Sequence, residues 1–190
     1  MQAILLAGES VAENSAWMSY LERGIKKIPF TDVYPILYSH WTQAQKTGRD
    51  PPSFNVDIEM SGLIKIAKRI KEEYLIVSKS SGLAMTLQCI RDKTISPVGI
   101  VGCGLPMHYP LEEPENEKWV FPQLLKSNNL STWILQNTNE RYIHPEELEQ
   151  VLSENSNYRV ISGDTHEHKY SAVRLAQHVA EFRTQYLQRQ

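Results

Sequence analysis

Residues 74–82 have the sequence YLIVSKSSG, in which an apolar run gives way to small polar residues and a glycine. A short run of this kind is typical of a strand that is covered on both faces of a sheet. Leu83, Leu87 and Ile90 follow at helical spacing. The segment therefore predicts a strand, a tight turn and an amphipathic helix.

The same alternation of strand and helix extends in both directions from this segment. Apolar runs predict six strands, at residues 4–7, 33–38, 74–77, 98–101, 132–135 and 158–161. Helices are expected from Asn14 or Ser15 to Ile25, over 60–70, 83–90 and 118–126, from His144 onward, and over 175–186, with a loop from Trp41 to Asn55. Pro35 suggests that the second strand lies at an edge of the sheet. The pattern predicts an α/β fold: a three-layer α/β/α sandwich around a central, mostly parallel sheet of about six strands, in a single domain over residues 1–190.

The composition argues against several classes of protein. There are 20 basic and 22 acidic residues, a net charge of −2, whereas a dedicated nucleic-acid-binding domain usually carries a basic excess. Two cysteines among 190 residues exclude a disulfide scaffold. No apolar run is long enough for a membrane span, and no signal peptide is recognisable. We therefore expect a cytoplasmic protein that binds neither nucleic acid nor membrane.

The turn after the third predicted strand carries the most informative pattern, Ser78-Lys79-Ser80-Ser81-Gly82. Active sites of such sheets form at the carboxyl ends of the strands, and small-x-Ser-x-Gly is the pattern of a nucleophile elbow, a strained turn with small flanking residues. Ser80 would be the nucleophile, and the backbone N–H of Ser81 would be an oxyanion donor at the helix N-terminus. The alternative is that Ser80 or Ser78 merely caps the helix.

An acid and a histidine follow the last two predicted strands. A serine nucleophile needs an adjacent base and an acid that orients it, and in this architecture they come later in the chain in the order acid, then histidine. Glu140 follows the fifth strand and His166 follows the sixth, so we interpret them as the acid and the general base. Asp164 and His168 are their rivals, and a solvated loop acid is the alternative for Glu140.

With these motifs the chain resembles the α/β-hydrolase superfamily, in particular its small, cap-less, bacterial-type members. The resemblance covers nearly the whole chain and rests on four segments: residues 8–17, 77–82, 136–140 and 163–166. It implies a minimal fold without a cap domain, with Ser80 as nucleophile, Glu140 as acid and His166 as base.

The chain departs from the family pattern in three places. Ser78 stands where the elbow usually has glycine, and Glu140 stands where aspartate is commoner. The His-Gly pair often found after the first strand is missing, and Ala7-Gly8-Glu9 occupies that position. The backbone N–H of Glu9 is then the expected second oxyanion donor.

Four further residues at strand ends are expected to line the substrate site: Gly8, His40, Trp41 and Cys103. A Trp41 that simply covers the sheet edge is the alternative, and Cys103 is more simply a small core-edge cysteine than a reactive thiol. A metal held by His166 and His168 with Asp164 is disfavoured, because no further ligand is evident nearby. No glycine-rich nucleotide-binding motif follows the first strand, so neither a metal nor a cofactor is expected.

The sequence therefore predicts a serine hydrolase that acts on a small ester, thioester or amide. Its expected partner is a small-molecule acyl substrate, and a homodimer is left open. Two alternatives are a non-catalytic protein of the same fold that binds a ligand or protein partner, and a flavodoxin-like binder. The sequence does not identify the substrate.

Overall fold

A single sheet organises the chain. The computed structural model describes residues 1–47, 54–107, 125, 129–140, 142–163 and 172–190. Within these residues the sheet has six strands: β1 (Gln2–Leu6), β2 (Val33–Pro35), β3 (Tyr74–Lys79), β4 (Gly99–Cys103), β5 (Thr132–Gln136) and β6 (Tyr158–Ser162). Every neighbouring pair is parallel, and the order is β2-β1-β3-β4-β5-β6. The predicted parallel sheet is confirmed, and β2 with its Pro35 lies at an edge as expected.

The described helices are α1 (Val11–Ile25), α2 (Ser39–Thr47), α3 (Val56–Arg69), α4 (Ser81–Arg91), α5 (Pro145–Leu152) and α6 (Ala172–Gln188). A Cβ on Gly99 would meet Phe182 of α6, and a Cβ on Gly102 would meet Leu83 of α4 at 2.9 Å. Positions three apart on a strand face opposite sides of the sheet, so α6 and α4 cover opposite faces. Because α1 packs on α6 and α3 packs on α4, the predicted three-layer sandwich is confirmed.

The apolar runs that predicted the central strands are the core of the protein. Every residue of β1, β3, β4 and β5 is buried, whereas the edge strand β6 has only partly buried and exposed positions. A strand with neighbours on both sides and helices on both faces has no exposed position, which is why its sequence is continuously apolar rather than alternating. None of the described helices is long and apolar enough to cross a bilayer.

Several predicted boundaries are wrong. α2 extends through the first part of the stretch expected to be a loop from Trp41, β2 ends at Pro35 rather than at residue 38, and α1 begins at Val11. The cause at α2 is a cap from a distant part of the chain. The Glu59 carboxylate of α3 accepts hydrogen bonds from Ser39 N (2.9 Å) and Ser39 Oγ (2.6 Å). The helix expected over 118–126 lies outside the described residues except for Leu125, which is helical and buried.

The sheet order locates a crevice between β1 and β3. The chain leaves β1 toward β2 on one side and then returns to place β3 on the other side of β1. At such a reversal the two loops that follow the neighbouring strands diverge, and open parallel sheets bind their ligands there. The loop after β1 and the turn after β3 are therefore the first place to look for a site.

Candidate active site

Ser80 adopts a backbone conformation that L-residues avoid. Its φ is 50° and its ψ is −124°, directly between β3 and the first residue of α4. The Ser80 carbonyl accepts from Leu83 N and Ala84 N, but its side chain makes no capping hydrogen bond. The alternative that the Ser80 side chain caps the helix therefore fails. Strain of this kind at a polar residue is a reason to suspect function.

Close packing around the turn explains its small residues. A Cβ on Gly82 would lie 2.5 Å from the Ala7 carbonyl oxygen and 2.9 Å from Leu6 Cβ, so only glycine lets α4 approach β1 here. Ser78, at the other flanking position, is fully buried, and its hydroxyl has no hydrogen-bond partner in the described part of the chain. The elbow thus accommodates serine where its pattern usually has glycine.

The loop after β1 touches the elbow. A Cβ on Gly8 would lie 3.3 Å from Ser80 Cβ and 3.1 Å from Asn14 Nδ2. Any larger residue at position 8 would push this loop, residues 7–10 (the β1–α1 loop), away from Ser80. The structure therefore brings together three of the residues that the sequence placed in the site: Gly8, Ser80 and, at the first position of α4, Ser81.

Side chains hold three carbonyls of the β1–α1 loop. Tyr38 Oη donates to the Ala7 carbonyl (2.5 Å), and Asn14 Nδ2 donates to the Ser10 carbonyl (2.8 Å). The Glu9 carbonyl accepts two hydrogen bonds, from His40 Nε2 and from Trp41 Nε1, both at 2.8 Å. Because a carbonyl can only accept, His40 carries a proton on Nε2. The loop is fixed from the α1 side and from the α2 side.

His40 and Trp41 are buried in the first turn of α2, with exposed fractions of 5% and 1%. We expected them to line the substrate site; their ring N–H groups hold the β1–α1 loop. The other ring nitrogen of His40, Nδ1, lies 3.3 Å from Glu59 Oε1. Glu59 is not recognisable from the sequence, because a glutamate on an amphipathic helix gives no sign that it is only 4% exposed.

A second buried contact ties the elbow strand to α1. Lys79, the residue before Ser80, is only 7% exposed, and its Nζ donates to Asn14 Oδ1 at 2.8 Å. The same ammonium lies 5.1 Å from the centroid of the Trp17 ring. Asn14 therefore bridges the Lys79 ammonium and the Ser10 carbonyl, although the sequence suggested it only as a helix cap.

The described residues include the predicted acid and the start of the loop that carries the predicted base. Glu140 is half-buried after β5, and its backbone N–H donates to the Asn137 carbonyl at 3.1 Å. The loop after β6 begins beside the end of β5: Gly163 N donates to the Gln136 carbonyl at 2.7 Å, and a Cβ on Gly163 would overlap the Asn137 side chain. The two loops that carry the predicted acid and base thus start in contact.

The predicted base lies outside the described residues, as do its rival His168 and the rival acid Asp164. The approach of His166 to Ser80 and Glu140 therefore stays a prediction. Among the described residues no group of three or more His, Cys, Asp or Glu could hold a metal ion.

Cys103, at the end of β4, is fully buried. Burial raises the pKa of its thiol to about 12; the Lys79 charge lowers that pKa and the Glu140 charge raises it, both by less than burial does. A reactive cysteine needs a lowered pKa, so the structure favours the packing role over the reactive thiol.

We expect native Cys103 to resist thiol reagents. With a pKa of about 12, about one thiol in ten thousand is ionised at pH 8, since the neutral form persists until the pH approaches the raised pKa. Cys89 is buried as well. An aromatic disulfide reagent should label neither cysteine within minutes at pH 8, and both in urea. Fast native labelling that Cys103→Ala abolishes and Cys89→Ala does not would contradict this.

Comparisons with known proteins bear on the fold. No protein-family model and no curated protein matches the chain. Solved structures match it at low identity. A putative hydrolase of the α/β superfamily from Xanthomonas campestris has a TM-score of 0.66 at 12% identity, covering 97% of this chain and 98% of that one. Est1E from Butyrivibrio proteoclasticus has a TM-score of 0.65 at 10% identity, and the match covers 98% of this chain and 88% of that one. The mouse α/β hydrolase domain-containing protein 10 has a TM-score of 0.66 at 12% identity, and the match covers 97% of this chain and 90% of that one. The chain therefore has the fold of the α/β-hydrolase superfamily.

Proposed function

We propose that the protein is a serine hydrolase that cleaves a small ester, thioester or amide through an acyl-enzyme on Ser80. The observation that carries the proposal is the strained backbone of Ser80, with φ 50° and no capping bond from its hydroxyl. Capping is the usual reason for serine at a helix N-terminus, and it does not apply here. The structures of similar fold that are named as hydrolases agree with the proposal.

The first half of the proposed reaction forms the acyl-enzyme. The Ser80 hydroxyl oxygen adds to the acyl carbonyl carbon while its proton passes to His166, and Glu140 holds the imidazole in the required tautomer. The carbonyl oxygen becomes an oxyanion that accepts from the Ser81 N–H and from the Glu9 N–H. When the intermediate collapses, the alcohol, thiol or amine leaves with the proton from His166. The acyl group stays on Ser80.

The second half repeats these steps with water. His166 takes a proton from water, the hydroxide oxygen adds to the acyl carbon, and Ser80 leaves with that proton as the acid product is released. The Ser81 N–H is suited to its role because it belongs to the first residue of α4. The first N–H groups of a helix have no acceptor within the helix and lie at its positive end.

Hydrolysis of a series of chromogenic esters tests the proposal. We expect turnover by the wild type, and a loss of kcat of at least about a thousandfold in Ser80→Ala and in His166→Ala, since removing a triad member leaves only the oxyanion contribution. Ser78→Gly restores the usual elbow residue and should keep activity. No turnover of any ester, thioester or amide by the wild type would favour the non-catalytic alternative.

A further inference from the structure

A buried cluster in α2 and α3 holds the loop that faces the elbow. We name His40, Trp41 and Glu59 the α2 clamp. Both ring N–H groups, His40 Nε2 and Trp41 Nε1, converge on one oxygen, the Glu9 carbonyl, at 2.8 Å each. Two donors on a single carbonyl fix the plane of the peptide that joins Glu9 to Ser10.

Glu59 fixes the clamp in turn. Its carboxylate accepts from Ser39 N and Ser39 Oγ and lies 3.3 Å from His40 Nδ1. A buried carboxylate is tolerated only with such donors around it. These contacts hold the first turn of α2 against α3, and they set the direction of the imidazole ring toward Glu9.

The clamp determines where N–H groups of the β1–α1 loop point. In a trans peptide the N–H points opposite to the carbonyl, so the Ser10 N–H is directed away from α2. The Ala7 carbonyl and the Gly8 N–H belong to one peptide, so the hydrogen bond from Tyr38 to that carbonyl fixes the direction of the Gly8 N–H in the same way. The loop lies against Ser80, since a Cβ on Gly8 would be 3.3 Å from Ser80 Cβ.

We infer that the α2 clamp holds the β1–α1 loop beside Ser80 in the conformation from which the loop backbone binds the oxyanion. This inference rests on the proposed function. His40, Trp41 and Glu59 are positioning residues, because they act through the Glu9–Ser10 peptide and reach no substrate. Donors aimed before the reaction stabilise the developing charge without reorganising.

Substitutions that remove the donors one at a time test the inference. His40→Leu should lower kcat by about tenfold to a hundredfold and leave KM within about twofold, because an oxyanion donor acts mainly in the transition state. His40→Gln, whose amide can again donate to Glu9, should recover at least part of the loss. Trp41→Phe should lower kcat by about threefold to tenfold. Trp133→Phe makes the same change at a buried tryptophan of β5, outside the clamp, and should leave kcat unchanged.

Hydrogen exchange of the backbone N–H groups of residues 8–10 distinguishes the effect of the clamp on the loop from its effect on catalysis. We expect faster exchange in His40→Leu than in the wild type, and wild-type exchange in Trp133→Phe. If the wild type is active, and His40→Leu has the same kcat and the same exchange rates as the wild type, the inference is overturned but the proposed function stands. Faster exchange with an inactive wild type would overturn the proposed function and the catalytic role of the clamp, while the structural hold on the loop would stand. A rise in KM with unchanged kcat in His40→Leu would also overturn the inference, because that pattern indicates a role in substrate binding.

Discussion

Ser80→Gly should stabilise the protein by about 1–2 kcal/mol while abolishing its hydrolytic activity. With φ 50° and ψ −124°, Ser80 lies outside all three regions that L-residues favour. Conformations of this kind cost about 1–3 kcal/mol, and glycine adopts them without a Cβ clash. The free energy of unfolding in urea and the kcat for an ester measure the two effects.

Lys93 offers a matched control for this prediction. It is the only other described non-glycine residue with a positive φ, at 55°. It follows the Asp92 cap of α4, and Lys93 N and Thr94 N donate to the Ile90 and Cys89 carbonyls, the pairing that favours glycine at a helix C-terminus. Lys93→Gly should stabilise by about 1 kcal/mol and leave kcat unchanged. If Lys93→Gly stabilises and Ser80→Gly does not, Ser80 is not held in a strained turn.

Gly82→Ala should destabilise the protein by about 1–3 kcal/mol and lower kcat by about tenfold to a hundredfold. Its Cβ would lie 2.5 Å from the Ala7 carbonyl oxygen, which belongs to backbone and cannot rotate away. Overpacking a core carries a cost of that size. The displaced α4 would move Ser80 and Ser81 together, and misplacement of about 1 Å can cost a hundredfold in rate.

Gly62 is the control for Gly82. It lies in the interior of α3, and a Cβ there would meet nothing within 4 Å. Gly62→Ala should stabilise by about 0.5–1 kcal/mol, because alanine restricts the unfolded chain and favours the helix. The opposite signs of the two glycine substitutions would show that the close approach at Gly82, and not helix propensity, controls the elbow. Equal stabilisation by both substitutions would contradict the packing described for the turn.

The sequence was sufficient to predict the sheet and the elbow, because both depend on local patterns. Four strands are buried along their whole length, so their apolar runs are unbroken, and small-x-Ser-x-Gly identifies a turn between a strand and a helix. The position of Ser80 beside the β1–α1 loop follows from the same pattern once the strand order is known. Given that order, the rule that the crevice of a parallel sheet forms where the strand order reverses locates the site between β1 and β3.

The α2 clamp could not be predicted in this way. Glu59 lies twenty positions after Ser39, and its role depends on how α3 packs against α2. The sequence predicts that His40 and Trp41 line the substrate site, because nothing in their spacing distinguishes a side chain that contacts substrate from one that holds a loop carbonyl. The polar character of residues 39–47 also hid α2, since its first turn is stabilised by the Glu59 carboxylate and not by a neighbour in sequence.

The central claim is that Ser80 forms a covalent acyl intermediate, and the site of reaction with a fluorophosphonate probe tests it most directly. Trypsin cleaves after Lys79, so Ser78 and Ser80 fall in different peptides, and fragment masses separate Ser80 from Ser81. We predict one adduct per chain on Ser80 of the native wild type, and none in Ser80→Ala or after denaturation in urea. An adduct on Ser78 or Ser81, or no adduct on the folded protein, would contradict the account.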